Sequence, residues 1–498
     1  MQTQLKIAQI SLLQRQPAVW RQCQHTWRVC STAGSAAPPT VLDQSSGPLP
    51  PISAPPFGAA AVRGLSPCRQ GSVVPYAPIC GPDVWYGQQQ CQQQEQWVHT
   101  LTAAQVQELE AAVVAVQQRL QLRTHGNYIT GLMRLRDPAQ FPLPLLSPVL
   151  AAMKQELTAG RGFYLIKGLP VEHWSVEQVM VAYWGIGVHL GVAIPQNQKG
   201  HLIGHVKGVG VDPLCQNPAT RIYMTRAAQP WHVDSCDIVG LLCLQPAKSG
   251  GQSSWASSSA IYNELLTASP EAVAALAGSW YLDRKGELPP GKLPYFVMPV
   301  LHFHQGFLTV SFHDSYYQAA AARFPAQVPP LTPTQQAALA LFNEAANKDD
   351  VRLDYWLEPG DMQFVNNHNV VHMRSQFEDW EEPSKKRHLL RLQLVVPGLR
   401  PLPAAAFEAL WGPLAADDRC VQQLAALADA GDPEQQQPAA AHEDASRRHA
   451  EQAAAAAGDV AVPSAGGGAV SAALAARFGG SGMGCIPLDA ELGNKLRD

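Results

Sequence analysis

Gly360-Asp-Met-Gln-Phe-Val-Asn-Asn-His-Asn-Val-Val-His372-Met-Arg374 is the stretch from which the fold can be read. Gly360 and Asp361 make a tight turn into an apolar strand, and the Asn366-Asn367 pair can satisfy exposed backbone groups where that strand ends. His372 then falls at a strand or loop margin. On both sides, from Ile222 to about Val396, the chain runs in short β-rich stretches broken by Pro, Gly and Asp, among them Leu301 to Phe312 and Met362 to Val371. Further out the period changes. Thr102-x-x-Gln105 has the form of a capping box, and Val106, Leu109, Val113, Val116 and Leu120 follow at spacings of three and four, which sets them on one helical face. A strand-like Gly162-Phe-Tyr-Leu-Ile-Lys-Gly168 precedes a second helix start at Ser175-x-x-Gln178. The expected fold class is mainly β with flanking helices.

A second segment, Gln229-Pro-Trp-His232-Val-Asp234, carries the first chemistry. Residues i and i+2 of a strand face the same way, so His232 and Asp234 would present an imidazole nitrogen and a carboxylate oxygen side by side. Alone this is weak, because a chain with 16 histidines contains roughly one His-x-Asp by chance, and His442-Glu-Asp444 in the tail is such a decoy. His372 changes the balance. Two histidines and one carboxylate make the facial set that leaves three adjacent positions of an iron ion open for a bidentate co-substrate and O₂. Other histidines compete: His302-x-His304 lies among Leu301, Phe303, Phe307 and Leu308 and reads as sheet packing, while His368 and His388 are second choices.

Arg387-His-Leu-Leu-Arg391-Leu-Gln-Leu-Val-Val396 alternates with period two, placing Arg387, Leu389, Arg391 and Gln393 on one face. If that face points outward, the arginines are merely solvated. If it points inward, two buried guanidiniums need an anionic partner, and a planar fork matches a carboxylate.

Composition narrows the partners. Charged residues make up 15% of the 498, the net charge is -4, and no basic block occurs, so neither nucleic acid nor a membrane surface is expected as a partner. The ten cysteines include no Cys-x-x-Cys pair, so they are expected as reduced thiols of an intracellular protein. No apolar run approaches the ~20 residues needed to span a bilayer. Residues 1–82 hold one acidic residue, Asp43, against Lys6 and five arginines, in a Ser-, Pro-, Ala- and Gln-rich background. This reads as a disordered leader of organellar type, mitochondrial or plastid, with a plain leader on a cytoplasmic protein as the alternative. Residues 416–498, with runs such as Ala453 to Ala457, are expected to be a low-complexity, mostly disordered tail, leaving 83–415 as the catalytic domain.

Taken together, the ordered segments resemble the taurine dioxygenase (TauD/TfdA-like) family of Fe(II)- and 2-oxoglutarate-dependent dioxygenases, within the clavaminate synthase-like superfamily. The resemblance rests on Trp231-His-x-Asp234, Gly250-Gly251-Gln-Ser-Ser-Trp-Ala-Ser, Asn366-Asn367 followed by His372, and Lys386-Arg387-His-Leu-Leu-Arg391. It implies a double-stranded β-helix, or jelly roll, with His232, Asp234 and His372 as both catalytic residues and iron ligands. It also implies Arg387 as anchor for the distal carboxylate of 2-oxoglutarate and Ser253 as its hydroxyl partner, where a threonine is common in relatives. Arg391 would lie near the other end of the co-substrate or the substrate. The implied reaction hydroxylates a small molecule, an anionic one being preferred because of Arg391, and releases succinate and CO₂. Asp234 is retained where halogenating relatives carry a small residue, and Cys68, Cys80 and Cys91 do not reproduce the zinc module of betaine-type relatives. Two other readings stand beside it: a metal-dependent hydrolase on the same ligands, and a catalytically silent jelly-roll binding protein. Tyr223, Gln196, Asn197 and His201 are candidate pocket residues or scaffold, and neither the primary substrate nor the oligomeric state is legible.

Overall fold

The strand that follows Gly360 forms as its sequence dictates: Gly360 takes a left-handed φ of +85°, and Met362–Asn366 runs buried along its whole length. In the computed structural model, which describes residues 73–125, 127–197, 201–210, 222–285, 293–396, 399–402 and 486–488, this strand lies inside a seven-stranded sheet. The sheet order is Val98–Thr100, Phe163–Lys167, Met362–Asn366, Ile238–Gln245, His388–Val395, Val192–Ala193, with Ile203–Lys207 also pairing His388–Val395. The first pair is parallel and the rest are antiparallel. A second, four-stranded antiparallel sheet orders Leu353–Tyr355, Ser253–Ser257, Val370–Arg374, Gln229–His232. Along the chain the central strands switch between the two: Gln229–His232 in the small sheet, Ile238–Gln245 in the large, Ser253–Ser257 in the small, then Met362–Asn366, Val370–Arg374 and His388–Val395 in large, small, large.

Each face of the large sheet is covered. Leu390, Leu392 and Leu394 pack with Met180, Tyr183 and Ile186 of the helix Val176–Leu190, and each fully buried side chain of this size contributes ~1.5–3 kcal/mol. On the opposite face Trp97, Phe163, Trp255, Val365 and Val395 form one apolar cluster joined by edge-on ring contacts. Both capping boxes are present: Thr102 and Gln105 start the helix Ala103–Leu120, and Ser175 and Gln178 start Val176–Leu190. Leu109, Val113, Val116 and Leu120 are buried. No helix among the described residues is long and apolar enough to cross a membrane.

The stretch from Ile222 to Val396 is less purely β than its sequence suggests. Ser258–Ala268, Pro270–Leu276, Asp314–Arg323 and Pro333–Asn347 are helices. They build a separate apolar cluster together with the hairpin Leu301–His304/Phe307–Val310. The signal was there in Thr332-Pro-x-Gln335, which forms a complete capping box with proline in the first turn.

Most of the expected leader and tail lies outside the described residues, but two pieces of them are placed. Val73 and Ile79, within the stretch assigned to the leader, are buried in the helical cluster. Ile486, within the stretch assigned to the tail, is 0% exposed in the core, its carbonyl accepts from Ile129 N at 2.9 Å, and the Pro487 carbonyl lies 2.8 Å from His205 Nε2. A single bulky apolar residue inserted into a packed core fixes its segment even when its neighbours in sequence are poor core formers. Ile486→Ala should therefore lower stability by about 2–4 kcal/mol, read as a shift of the denaturant midpoint at constant slope; an unchanged midpoint would show that this segment does not hold the core.

Candidate metal centre and co-substrate pocket

A row of side chains crosses the small sheet. Trp255 is the Cα partner of His372, His372 of His232, and His232 forms a further bridge with His313. Cross-strand partners share a face, and the His232 and His372 rings come within 4.2 Å of each other, centroid to centroid. Asp234 lies just beyond the strand end at His232, so simple strand alternation does not place it. Asn367 does: its Oδ1 accepts the Asp234 backbone N–H at 2.9 Å, and its own N–H donates to the Asp237 carbonyl at 2.9 Å. Asn366 Oδ1 accepts from His368 N at 2.9 Å, so the asparagine pair satisfies backbone at the strand end, as its sequence suggests.

The result is a cluster in which one ligand atom each of His232, Asp234 and His372 lies within 4.8 Å of the others. Burial pushes His372 down to about 3, with His232 adding to the effect, and burial also lowers His232, so both imidazoles are neutral near pH 7. Burial works against the Asp234 carboxylate, but the Arg391 guanidinium and the imidazoles outweigh it and hold the group below the usual carboxylate range. Two neutral imidazoles and an ionised carboxylate are the donor set a divalent iron takes. The fit extends outward. His232 Nδ1 lies 2.8 Å from the Pro230 carbonyl, to which it donates, and this leaves Nε2 as the acceptor, 2.7 Å from Gln229 Nε2. His372 Nδ1 is buried with no hydrogen-bond partner among the described residues.

The arginine face points inward. Arg387 and Arg391 are 4% and 9% exposed, which decides between the two orientations open in the sequence. Arg391 Nη1 sits 3.5 Å from Asp234 Oδ2, its Nε donates to Gln196 Oε1 at 2.8 Å, and it lies over the Tyr223 ring at 4.9 Å. Gln196 and Tyr223 thus hold Arg391, whereas Asn197 pairs with His201 at 3.1 Å. Arg387 makes no such ion pair among the described residues; the acid beside it, Asp379, accepts its backbone N–H at 2.6 Å. Burial pushes Arg387 down to about 10, so it stays charged at neutral pH, and its Nη1 is buried without a partner among the described residues. Gly251, at φ +78°, passes so close that a Cβ there would lie 3.1 Å from Arg387 Nε. Ser253, buried, stands on the neighbouring small-sheet strand.

The competing histidines go elsewhere. His302 is buried in its hairpin and burial pushes it down to about 4, His368 pairs with Asp237 at 2.7 Å, and His388 contacts His205 at 2.7 Å on the far face of its strand. His442 lies outside the described residues. Sequence reasoning missed two neighbours of the site. His313 is next in the histidine row, and Arg374 is two residues past His372 on one strand, a spacing that was legible.

A two-histidine, one-carboxylate centre between two β-sheets, flanked by a buried arginine whose guanidinium pairs with no carboxylate among the described residues, is the arrangement of a non-haem iron oxygenase. Residues 129–393 match the family described as Taurine catabolism dioxygenase TauD, TfdA family, and the chain belongs to that family. It is an iron(II)- and 2-oxoglutarate-dependent dioxygenase, which sets aside the hydrolase and the silent binding protein. Among similar proteins, the FR-33289 synthase of Streptomyces rubellomurinus is 31% identical over 342 residues, covering 68% of this chain and 96% of the relative. A taurine hydroxylase-like protein of Stachybotrys chartarum is 30% identical over 316 residues, covering 62% and 77%. Among solved structures, an asparagine oxygenase with Fe(II), 3-hydroxyasparagine and succinate aligns at TM-score 0.44 and 17% identity, covering 60% of this chain and 93% of that one.

Asn367→Ala should lower stability and, in the protein that remains folded, weaken metal binding by about 10–100-fold, because Asp234 loses the acceptor that orients its backbone. Titration with Mn(II) followed by EPR measures this; wild-type affinity in the variant would show that Asp234 is placed by other contacts.

Proposed function

We propose that His232, Asp234 and His372 hold the iron, that Arg387 takes the distal carboxylate of 2-oxoglutarate with the Ser253 hydroxyl beside it, and that Arg391 meets an anionic group of a small organic substrate. We read the two sheets, with strands switching between them, as the halves of a double-stranded β-helix whose interior is the pocket. The observation that carries the assignment is the convergence of two neutral imidazoles and one carboxylate within 4.8 Å.

Bound iron supplies O₂ activation, in which 2-oxoglutarate is oxidatively decarboxylated to succinate and CO₂ and one oxygen atom enters a C–H bond of the substrate. The chain's own residues bind and orient. Arg387 fixes the far end of the keto acid, so that its 2-oxo acid end has one way to approach the triad. Arg391, braced by Gln196 and Tyr223, presents its remaining donors beside Asp234, where an anionic substrate group would be held close to the metal. The apolar wall of Trp97, Phe163 and Trp255 limits water between the sheets.

Succinate release with iron(II), ascorbate and 2-oxoglutarate, surveyed over small carboxylates, sulfonates and betaines, tests this reading. An anionic compound should stimulate turnover, and Arg391→Met should raise its KM by roughly 10–100-fold, the worth of a charge-assisted hydrogen bond. Stimulation by cationic or neutral compounds alone, or an unchanged KM in the variant, would remove Arg391 from substrate binding.

A further inference from the structure

Arg374 stands two residues beyond His372, and the assignments above give it no role. Its side chain is buried; Nη2 donates to the carbonyls of Thr225 and Ala227, Nε donates to the Ser375 carbonyl at 3.3 Å, and Nη1 is buried with no partner among the described residues. Arg387 leaves its own Nη1 in the same condition. Both guanidiniums lie against one ring, Arg374 at 4.7 Å and Arg387 at 5.2 Å from the centroid of Phe377. Ser253 is the Cα partner of Arg374 across the strands, which puts the candidate hydroxyl in the same row. The acid that comes nearest in role is Asp379, whose Oδ1 accepts the backbone N–H of Arg387 at 2.6 Å.

Two buried cations gathered over one ring repel each other, and each retains an unused donor that burial makes costly. One carboxylate resolves both problems, since its two oxygens can accept from two guanidiniums at once. We propose that Arg374 is a second arm of the 2-oxoglutarate anchor, with one distal carboxylate oxygen on Arg387 Nη1, the other on Arg374 Nη1, and the Ser253 hydroxyl alongside. The proposal rests on the assignment of Arg387 to that carboxylate. It also gives the carbonyl contacts of Arg374 a purpose: Nη2 grips Thr225 and Ala227 just ahead of the strand that ends at His232, so the group that binds the co-substrate also braces the metal-ligand strand.

The test compares two keto acids on the anaerobic, iron(II)-loaded full chain. Affinities for 2-oxoglutarate and for 2-oxobutyrate, which lacks the distal carboxylate, are measured by calorimetry and by the visible charge-transfer band. Arg374→Met should raise the Kd for 2-oxoglutarate by about tenfold or more while leaving that for 2-oxobutyrate within about twofold. Arg374→Lys, which keeps the charge but not the fork, should fall between wild type and the Met variant; it decides by the same ratio if the Met variant does not fold. An unchanged Kd for 2-oxoglutarate, or an equal loss for both acids, would overturn the proposal and leave Arg374 a scaffold residue. A wild-type protein with no preference for 2-oxoglutarate over 2-oxobutyrate would instead overturn the assignment of Arg387, and the second arm with it.

Discussion

The centre depends on a contact between two turns. The Asn366–Asn369 turn leaves the large sheet and enters the small one, and the turn from Asp234 to Asp237 makes the opposite passage, from the small sheet to the large. They lock through Asn367, which accepts from Asp234 N with its side chain and donates to the Asp237 carbonyl with its backbone. Asp237 in turn pairs with His368 and accepts from Val396 N, which adds the end of the arginine strand to the same knot. Buried polar groups of this kind must all be satisfied or the fold loses several kcal/mol, so the network permits essentially one arrangement. That arrangement brings His232, Asp234 and His372 together from two distant stretches of sequence.

Around this knot the electrostatics are deliberately unbalanced. Asp234 has Arg391 as counter-ion, while Arg374 and Arg387 lie over one ring, that of Phe377, with no carboxylate in ion-pair contact among the described residues. A protein that kept such charges only for stability would do better with apolar side chains of similar volume. Their burial against the Phe377 ring is understandable if an anion completes the site, which is what the keto acid of this enzyme class provides.

Much of this was legible before any coordinates. Periodicity identified the Ala103–Leu120 and Val176–Leu190 helices through their capping boxes, and alternation placed Arg387 and Arg391 on one face because a strand has only two. What alternation could not tell was which face was inside. That depended on Leu390, Leu392 and Leu394 finding a helix to cover them, a long-range fact absent from the local pattern. The His-x-Asp spacing pointed to a pair that the structure brings together with His372, but for a partly incomplete reason, since Asp234 lies beyond its strand and is aimed by Asn367. The helices between Ser257 and Leu353 were missed because Ala-rich amphipathic segments lying among short strands were read with the strands' period. His313 was invisible because its bridge to His232 spans some eighty residues, whereas Arg374 needed only the i, i+2 rule already applied to His232.

The contact between Arg391 and Asp234 constrains how this enzyme can change its substrate. Asp234 is a candidate metal ligand, and a carboxylate that shares its charge with a guanidinium 3.5 Å away is a weaker donor to a cation than a free one. Arg391 also faces the place where a substrate anion would sit, held there by Gln196 and Tyr223. On the proposed assignment, specificity and metal affinity meet in one side chain. Replacing Arg391 to admit a neutral substrate would strengthen the pull of Asp234 on the metal while freeing Gln196 Oε1 and the Tyr223 ring, so selection for a new substrate has to act on the Gln196 and Tyr223 segments together with Arg391 rather than on the arginine alone.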